Sequence, residues 1–223
     1  HIPVSQVNTV REFIESEQIT VRDWLEEAEH PVVGRYRSPG PLVRMSATPL
    51  RIRRTAPLLG QHQQEILDEL TSERAQPSRS DEPLAAPGNP MLEGIRVADL
   101  TRAFVGPIGT MRLGFYGAEV VKVESADLPV ERGPSALPQA EYNRNKLSCT
   151  IDLRIAEGKD LFRKLLEVSD VLVDNFSPGV IERLGFGYDE VRRIRSDLIQ
   201  VTIPGLGLTG SLRPWVNWGS QIT

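Results

Sequence analysis

The chain has 223 residues, 39% hydrophobic and 25% charged, with a net charge of −4 and a pI near 5.5. That is enough chain to enclose one large or two small cores, and the acidic balance argues against a nucleic-acid or anionic-membrane surface, although local arginine clusters can still hold a small anion. No apolar run approaches the roughly 18 residues of a membrane span, no signal-peptide pattern opens the chain, and the single cysteine, Cys149, can form no internal disulfide, so a reducing, cytoplasmic setting is the simplest reading.

Residues 1–71 form a first block. Val7, Val10, Phe13 and Ile14 fit one helix face, and Val21, Trp24 and Leu25 fit the next short helical segment. The stretch HPVVGRYRSPGPLVRMSATP, rich in Gly and Pro with short β-prone pieces, suits an irregular hairpin-like region. After the basic run Arg51–Arg54, Gln61 to Leu70 reads as a helix presenting Ile66, Leu67 and Leu70. Residues 72–91 carry prolines and mixed charge with almost no large apolar side chains, which is the composition of an extended linker.

An α/β block starts at Leu92. Ile95, Val97, Ala98 and Leu100 read as a buried parallel strand, and the run after Pro107, with Ile108, Met111, Leu113 and Phe115, as a helix stopped by Gly117. Glu119 to Val123 supplies the next strand, and residues 125–145 form a long Pro-containing loop. Further strands are predicted over Ser148–Leu153, Val171–Phe176 and Leu198–Ile203, and helices over Ala156–Val168, Pro178–Leu184 and Tyr188–Arg195. Five strands alternating with helices predict a doubly wound parallel sheet, whose ligands bind at the carboxyl ends of the strands.

Two turns at those ends can carry chemistry. Thr101 to Pro107 leads into a helix whose first amides suit an anion, with Arg102 to add charge, though an ordinary βα turn has the same sequence. Glu124 lies near where a ribose-binding acid of a dinucleotide site would fall, but G-x-G-x-x-G is absent. Asp174 to Gly179 ends a strand with Ser177 placed as N-cap and Pro178 at the first helical position. There Asn175 can donate and accept hydrogen bonds and Phe176 can face an aromatic base, or Asn175 shapes the turn and Phe176 fills core. The Asn143–Lys146 run precedes the third strand of this block, Arg154 follows it and Arg183 lies on the helix after Phe176; such side chains are usually solvated, while several converging at one sheet edge would suit a phosphate-bearing ligand. His30 and His62 lack neighbours at ligand spacing, so no metal site is expected, and Gly205–Gly210 reads as a flexible loop.

As a set these stretches resemble the family III CoA-transferases, the CaiB/BaiF group that includes the formyl-CoA transferases. The matching pieces are LEGIRVADLTRAFVGP, GAEVVKVE, NRNKLSCTIDLR, EGKDLFRKLLEVSDVLVDNFSPGVIERLGFGYDEV and DLIQVTIPGLGLTG. Residues 1–71 resemble the carboxyl-terminal portion of the same family (HIPVSQVNTVREFIES, HPVVGRYRSPG, RMSATPLRIRRTAPLLGQHQQEILDEL), so the tail precedes the head. Two family modules fused in tandem, cut at His1 and Thr223, account for that order; a circular permutation is the alternative.

The resemblance implies a Rossmann-like large domain that binds coenzyme A, in a subunit interlocked with a second one, either as a homodimer or by intramolecular pairing of tandem modules. It places coenzyme contacts on Phe104 and Val105, on Ile151 and Arg154, on Asn175, Phe176 and Ser177, on Arg183 and on Arg213, and implies no metal. The chain departs from some members at Ser125, where they carry an Arg, and at Phe104, where they carry a Gln. The family's nucleophilic aspartate, which forms the anhydride and thioester intermediates, belongs to a segment beyond Thr223, so Asp99, Asp152 and Asp174 read as structural acids. Implied is transfer of CoA from an acyl-CoA to a carboxylic acid; the rivals are an acyl-CoA racemase and a catalytically silent coenzyme-binding module.

Overall fold

The structure, a computed structural model, describes residues 7–40, 43–49, 54–59, 61–64, 90–125 and 141–215. Most of the expected linker, residues 65–70 of the predicted Gln61–Leu70 helix and residues 126–140 of the long loop lie outside them. Two units divide the chain between Leu84 and Ala85, and each is taken by itself.

In the first unit, Thr9 and Glu12 form a capping box for α1 (Val10–Ile14): Glu12 N donates to Thr9 Oγ1 and Thr9 N to the Glu12 carboxylate. Val7, Val10 and Phe13 of the expected apolar face are exposed. It is α2 (Glu17–Val21) that buries side chains, Gln18 and Ile19. The predicted helical continuation through Trp24 and Leu25 does not form. Asp23 turns into the left-handed region at φ 47° and Leu25 opens β1 (Leu25–His30), which pairs antiparallel with β2 (Gly34–Pro39). Of the region expected to be hairpin-like and irregular, residues 30–39 lie in a regular hairpin turned at Gly34 with φ 77°, while the described residues 43–49 carry no strand; Glu27 and Glu29 stand opposite Arg37 and Arg35.

The second unit has the predicted alternation. β3 (Arg96–Asp99), α3 (Val105–Phe115) and β4 (Glu119–Glu124) make the first crossover, followed by β5 (Lys146–Thr150), α4 (Ala156–Glu167) and β6 (Val171–Asp174), then α5 (Val180–Leu184), α6 (Tyr188–Ile194) and β7 (Ile199–Thr202). All pairings are parallel, in the order β5-β4-β3-β6-β7. The chain moves outward from β3 to one edge, then returns past it to build the other, which puts the switch point between β3 and β6.

Alternation along the strands divides the core in two. Ala98, Val123 and Leu172 face α4, α5 and α6 through Phe162, Leu166, Ile181 and Val191, whereas Val97, Val120 and Val173 pack on the other face with Leu113 of α3. Phe162 and Phe186 are wholly buried and meet edge to face at 4.7 Å. Burial of a side chain that size contributes about 1.5–3 kcal/mol, so this pair anchors α4 to the segment joining α5 and α6.

Two boundaries moved for identifiable reasons. β5 begins at Lys146 rather than Ser148, in register with Val120 of β4. The short helix is capped by Gly179, in the left-handed region at φ 85°, and not by Ser177, because Val180 N donates to Ser177 O and closes a turn before the helix begins.

Candidate functional site

At the carboxyl edge of the sheet the switch-point turns are joined by one side chain. Asn175 Oδ1 accepts from Arg102 N and Asn175 Nδ2 donates to Arg102 O, each at 2.8 Å. The amide therefore holds the β3–α3 turn against the end of β6. Thr101 N donates to Asp99 Oδ1 at 2.8 Å, so two amides expected to face an anion have partners inside the chain. The turn is tight: Ala103 takes φ 61° without being glycine, and a Cβ on Gly106 would come within 2.6 Å of Thr101.

Beside this clamp opens a cleft of about 150 Å³ walled by the ends of four strands. Leu100, Val123, Leu153 and Leu184 give it an apolar floor, and Ile151 and Phe176 stand on its sides. Arg102, Glu124, Ser125, Asp152 and Arg154 supply the polar rim. Such an apolar floor with few polar groups suits one end of a larger organic ligand.

The charges of the rim are partly matched already. Arg154 donates through Nε at 2.8 Å and Nη2 at 2.6 Å to Asp152, whose carboxylate also accepts the Arg154 backbone N–H. These hydrogen bonds hold Asp152 down at about 2, against an ordinary 3.8. Glu124 accepts from Ser148 Oγ at 2.5 Å, and burial, helped by Glu124, pushes the Cys149 thiol up. Asp174, fully buried, accepts from Thr202 Oγ1 and Phe176 N; burial nonetheless raises its pKa. Asp99, equally buried, takes bonds from Thr101, Thr110 and Lys146. All three aspartates hold backbone and neighbouring side chains in place, as expected of structural acids.

The structure brings Ile151, Arg154 and Phe176 together in the cleft, with Asn175 adjoining and Ser177 exposed beyond it. Phe104 and Val105 stand half-exposed at the start of α3, outside the cleft lining. Arg183 is exposed on α5, with its guanidinium lying across Gly179, and Arg213 is exposed after β7. The Asn143–Lys146 run does not converge on the rim. Arg144 pairs with Glu141 and covers the Phe115 ring, and Lys146 is buried under the β3–α3 turn. Burial lowers the pKa of both Lys146 and Lys122, with Asp99 opposing. Asp152 and Leu184, at the cleft, were not singled out for the site from sequence; the D-x-R spacing of Asp152 and Arg154 was the available signal for the first.

Residues 1–63 and 92–221 match a family described as CoA-transferase family III, which leaves residues 64–91, with the Pro-rich stretch among them, and the last two residues outside. The chain belongs to CoA-transferase family III. It is 37% identical over 129 residues to the succinyl-CoA:glutarate CoA-transferase of Mus musculus, covering 54% of this chain and 30% of that protein. It is 38% identical over 123 residues to the formyl-CoA:oxalate CoA-transferase of Streptomyces avermitilis, covering 52% and 30%. Among solved structures, a CAIB/BAIF family protein from Brucella suis superposes with a TM-score of 0.53 at 33% identity, over 58% of this chain and 37% of that one. Rv3272 from Mycobacterium tuberculosis superposes with 0.54 at 32% identity, over 56% and 37%. The family III chain thus spans about a third of the length of the relatives it matches.

Among the described residues no group of three or more His, Cys, Asp and Glu side chains stands within reach of one metal ion, and no helix is long and apolar enough to cross a membrane.

Proposed function

We propose that this chain supplies coenzyme A recognition to an enzyme that moves CoA from an acyl-CoA thioester to a carboxylic acid. The reading is carried by the meeting of Ile151, Arg154 and Phe176, which the family resemblance assigns to the coenzyme, in one cleft at the carboxyl strand ends. The apolar floor suits the adenine ring and Phe176 a stacking contact, while Arg154 and Arg183 lie toward the phosphates. Asn175 holds the turn from which Phe104 and Val105 reach the coenzyme.

In the exchange, a carboxylate oxygen attacks the thioester carbonyl and CoA leaves as thiolate. The thiolate attacks the enzyme-side carbonyl of the resulting mixed anhydride, giving an enzyme–CoA thioester and releasing the original acid; the incoming carboxylate attacks that thioester, forming a second anhydride and freeing the thiolate, which takes the incoming acyl group and regenerates the enzyme carboxylate. Asp99, Asp152 and Asp174 serve as structural acids rather than as the nucleophile, each accepting backbone and side-chain hydrogen bonds from its neighbours. The exposed apolar face of α3, with Val105, Phe115 and Tyr116, suits burial by a second module, whether from another subunit or from the same polypeptide. The half-buried thiol of Cys149 fits a reducing, cytoplasmic setting.

Two measurements test this. Arg154→Ala and Arg183→Ala should each weaken coenzyme binding by about 1.5–3 kcal/mol, as for charge-assisted contacts. Unchanged affinity in a folded double variant refutes the placement. Incubating the full-length protein with acyl-CoA and hydroxylamine should trap an aspartyl hydroxamate; absence of any covalent adduct on an aspartate argues for racemase chemistry or a silent module.

A further inference from the structure

Lys146 opens β5, yet its side chain turns inward and is 1% exposed. Its ammonium reaches Asp99 Oδ2 at 3.0 Å, Pro107 O at 3.0 Å, Thr110 Oγ1 at 2.8 Å and Asn143 Oδ1 at 3.1 Å. These acceptors belong to three separate pieces of chain: the end of β3, the first half of α3, and the segment leading into β5. An unpaired buried ammonium is strongly unfavourable, so the three pieces are held where they jointly satisfy it.

Asp99 passes that constraint to the binding turn. Its other oxygen accepts both the N–H and the hydroxyl of Thr101, and Thr101 O in turn accepts from Lys122 Nζ at 2.6 Å. The segment before Lys146 also runs along α3. Tyr142 meets Phe104 edge-on at 4.9 Å, and Arg144 covers Phe115 at 5.4 Å. Asn145, at φ 58°, sits so close that a Cβ on Gly114 would come within 3.0 Å of its carbonyl oxygen. The strap 141–146 therefore contacts α3 near both its ends, and Lys146 fastens it.

We propose that Lys146 is a positioning residue for coenzyme binding: it locks the strap, α3 and the end of β3 together, and so fixes how Phe104, carried on the Thr101–Val105 turn, meets the ligand. The proposal rests on the coenzyme-binding reading. It differs from a general stabilising role in that the effect of Lys146 on affinity must run through Phe104.

The test is a double-mutant cycle in the full-length protein, titrated with acetyl-CoA. Lys146→Met, which keeps the apolar stem and removes the charge, should weaken binding about tenfold; in a Phe104→Ala background the same change should shift the Kd less than about twofold. Asn143→Ala removes the strap's bond to the ammonium and should weaken binding about threefold with the fold intact. Amide exchange at Thr101–Ile108, followed without ligand, should quicken in both variants. Affinity and exchange unchanged in folded Lys146→Met overturn the proposal, and if that variant does not fold, the same result in Asn143→Ala does so. A full loss persisting in the Phe104→Ala background overturns it too. A wild-type protein that binds no acetyl-CoA instead overturns the coenzyme reading, while the exchange measurement still reports whether Lys146 holds the turn.

Discussion

Asp152 accepts one backbone and two side-chain hydrogen bonds from Arg154, and its acidity follows from them. Its carboxyl sits at about 2 in the folded protein against an ordinary 3.8, so the pair contributes stability that is complete above 3.8 and is lost as the pH falls through about 2. Asp152→Asn should flatten that acid limb of stability, read by denaturant unfolding across the window; an acid limb identical in both proteins refutes the assignment. At this scale the sequence was legible in part. The D-x-R spacing was visible and Asp152 was read as structural, but nothing in it says that Arg154 would bond back to its own loop. Asn175 was read as able to donate and accept, and it does both. Its partner, the backbone of Arg102, is set by strand order and not by any local pattern.

Elements followed the short apolar runs closely, because β3, β4 and β6 are largely buried and centre on Val97-Ala98, on Val120, Val121 and Val123, and on Val171–Val173, with charged residues at strand ends and at Lys122. Errors came where a turn overrode propensity. Gly179 took the helix cap that Ser177 offered, and Asp23 ended a helix that Trp24 and Leu25 would have continued. The glycine that matters most here is Gly106, in the first turn of α3. An added Cβ would lie 2.6 Å from Thr101 Cβ, an atom that no side-chain rotation moves, so the backbone of the turn would have to shift. Gly106→Ala should therefore destabilise the protein by about 1–3 kcal/mol despite the better helix propensity of alanine, measured by chemical unfolding. A variant at least as stable as wild type would show that the turn relaxes freely.

Across the whole chain, the two units differ in how they are held. The five-stranded unit buries two aromatic rings and a double-sided sheet, whereas the described part of the first unit rests on two one-turn helices and a two-stranded hairpin, an element that is marginal by itself. Amide exchange across Leu25–Pro39 should be much faster than in Arg96–Asp99 and Val171–Asp174, and equal protection would indicate that the hairpin is covered by further structure. The doubly wound sheet was readable from the rhythm of strands and helices, and the family from motifs spread over most of the chain. The inward turn of Lys146 was not, because a lysine next to Asn and Arg at a strand start has the composition of a solvated edge.

The amide bridge from Asn175 to Arg102 spans 73 positions in the sequence. Contacts so distant along the chain form only after the intervening crossovers have collapsed, which makes them late events in folding. During synthesis, then, the nascent polypeptide cannot close this clamp on the β3–α3 turn until β6 has emerged and docked beside β3.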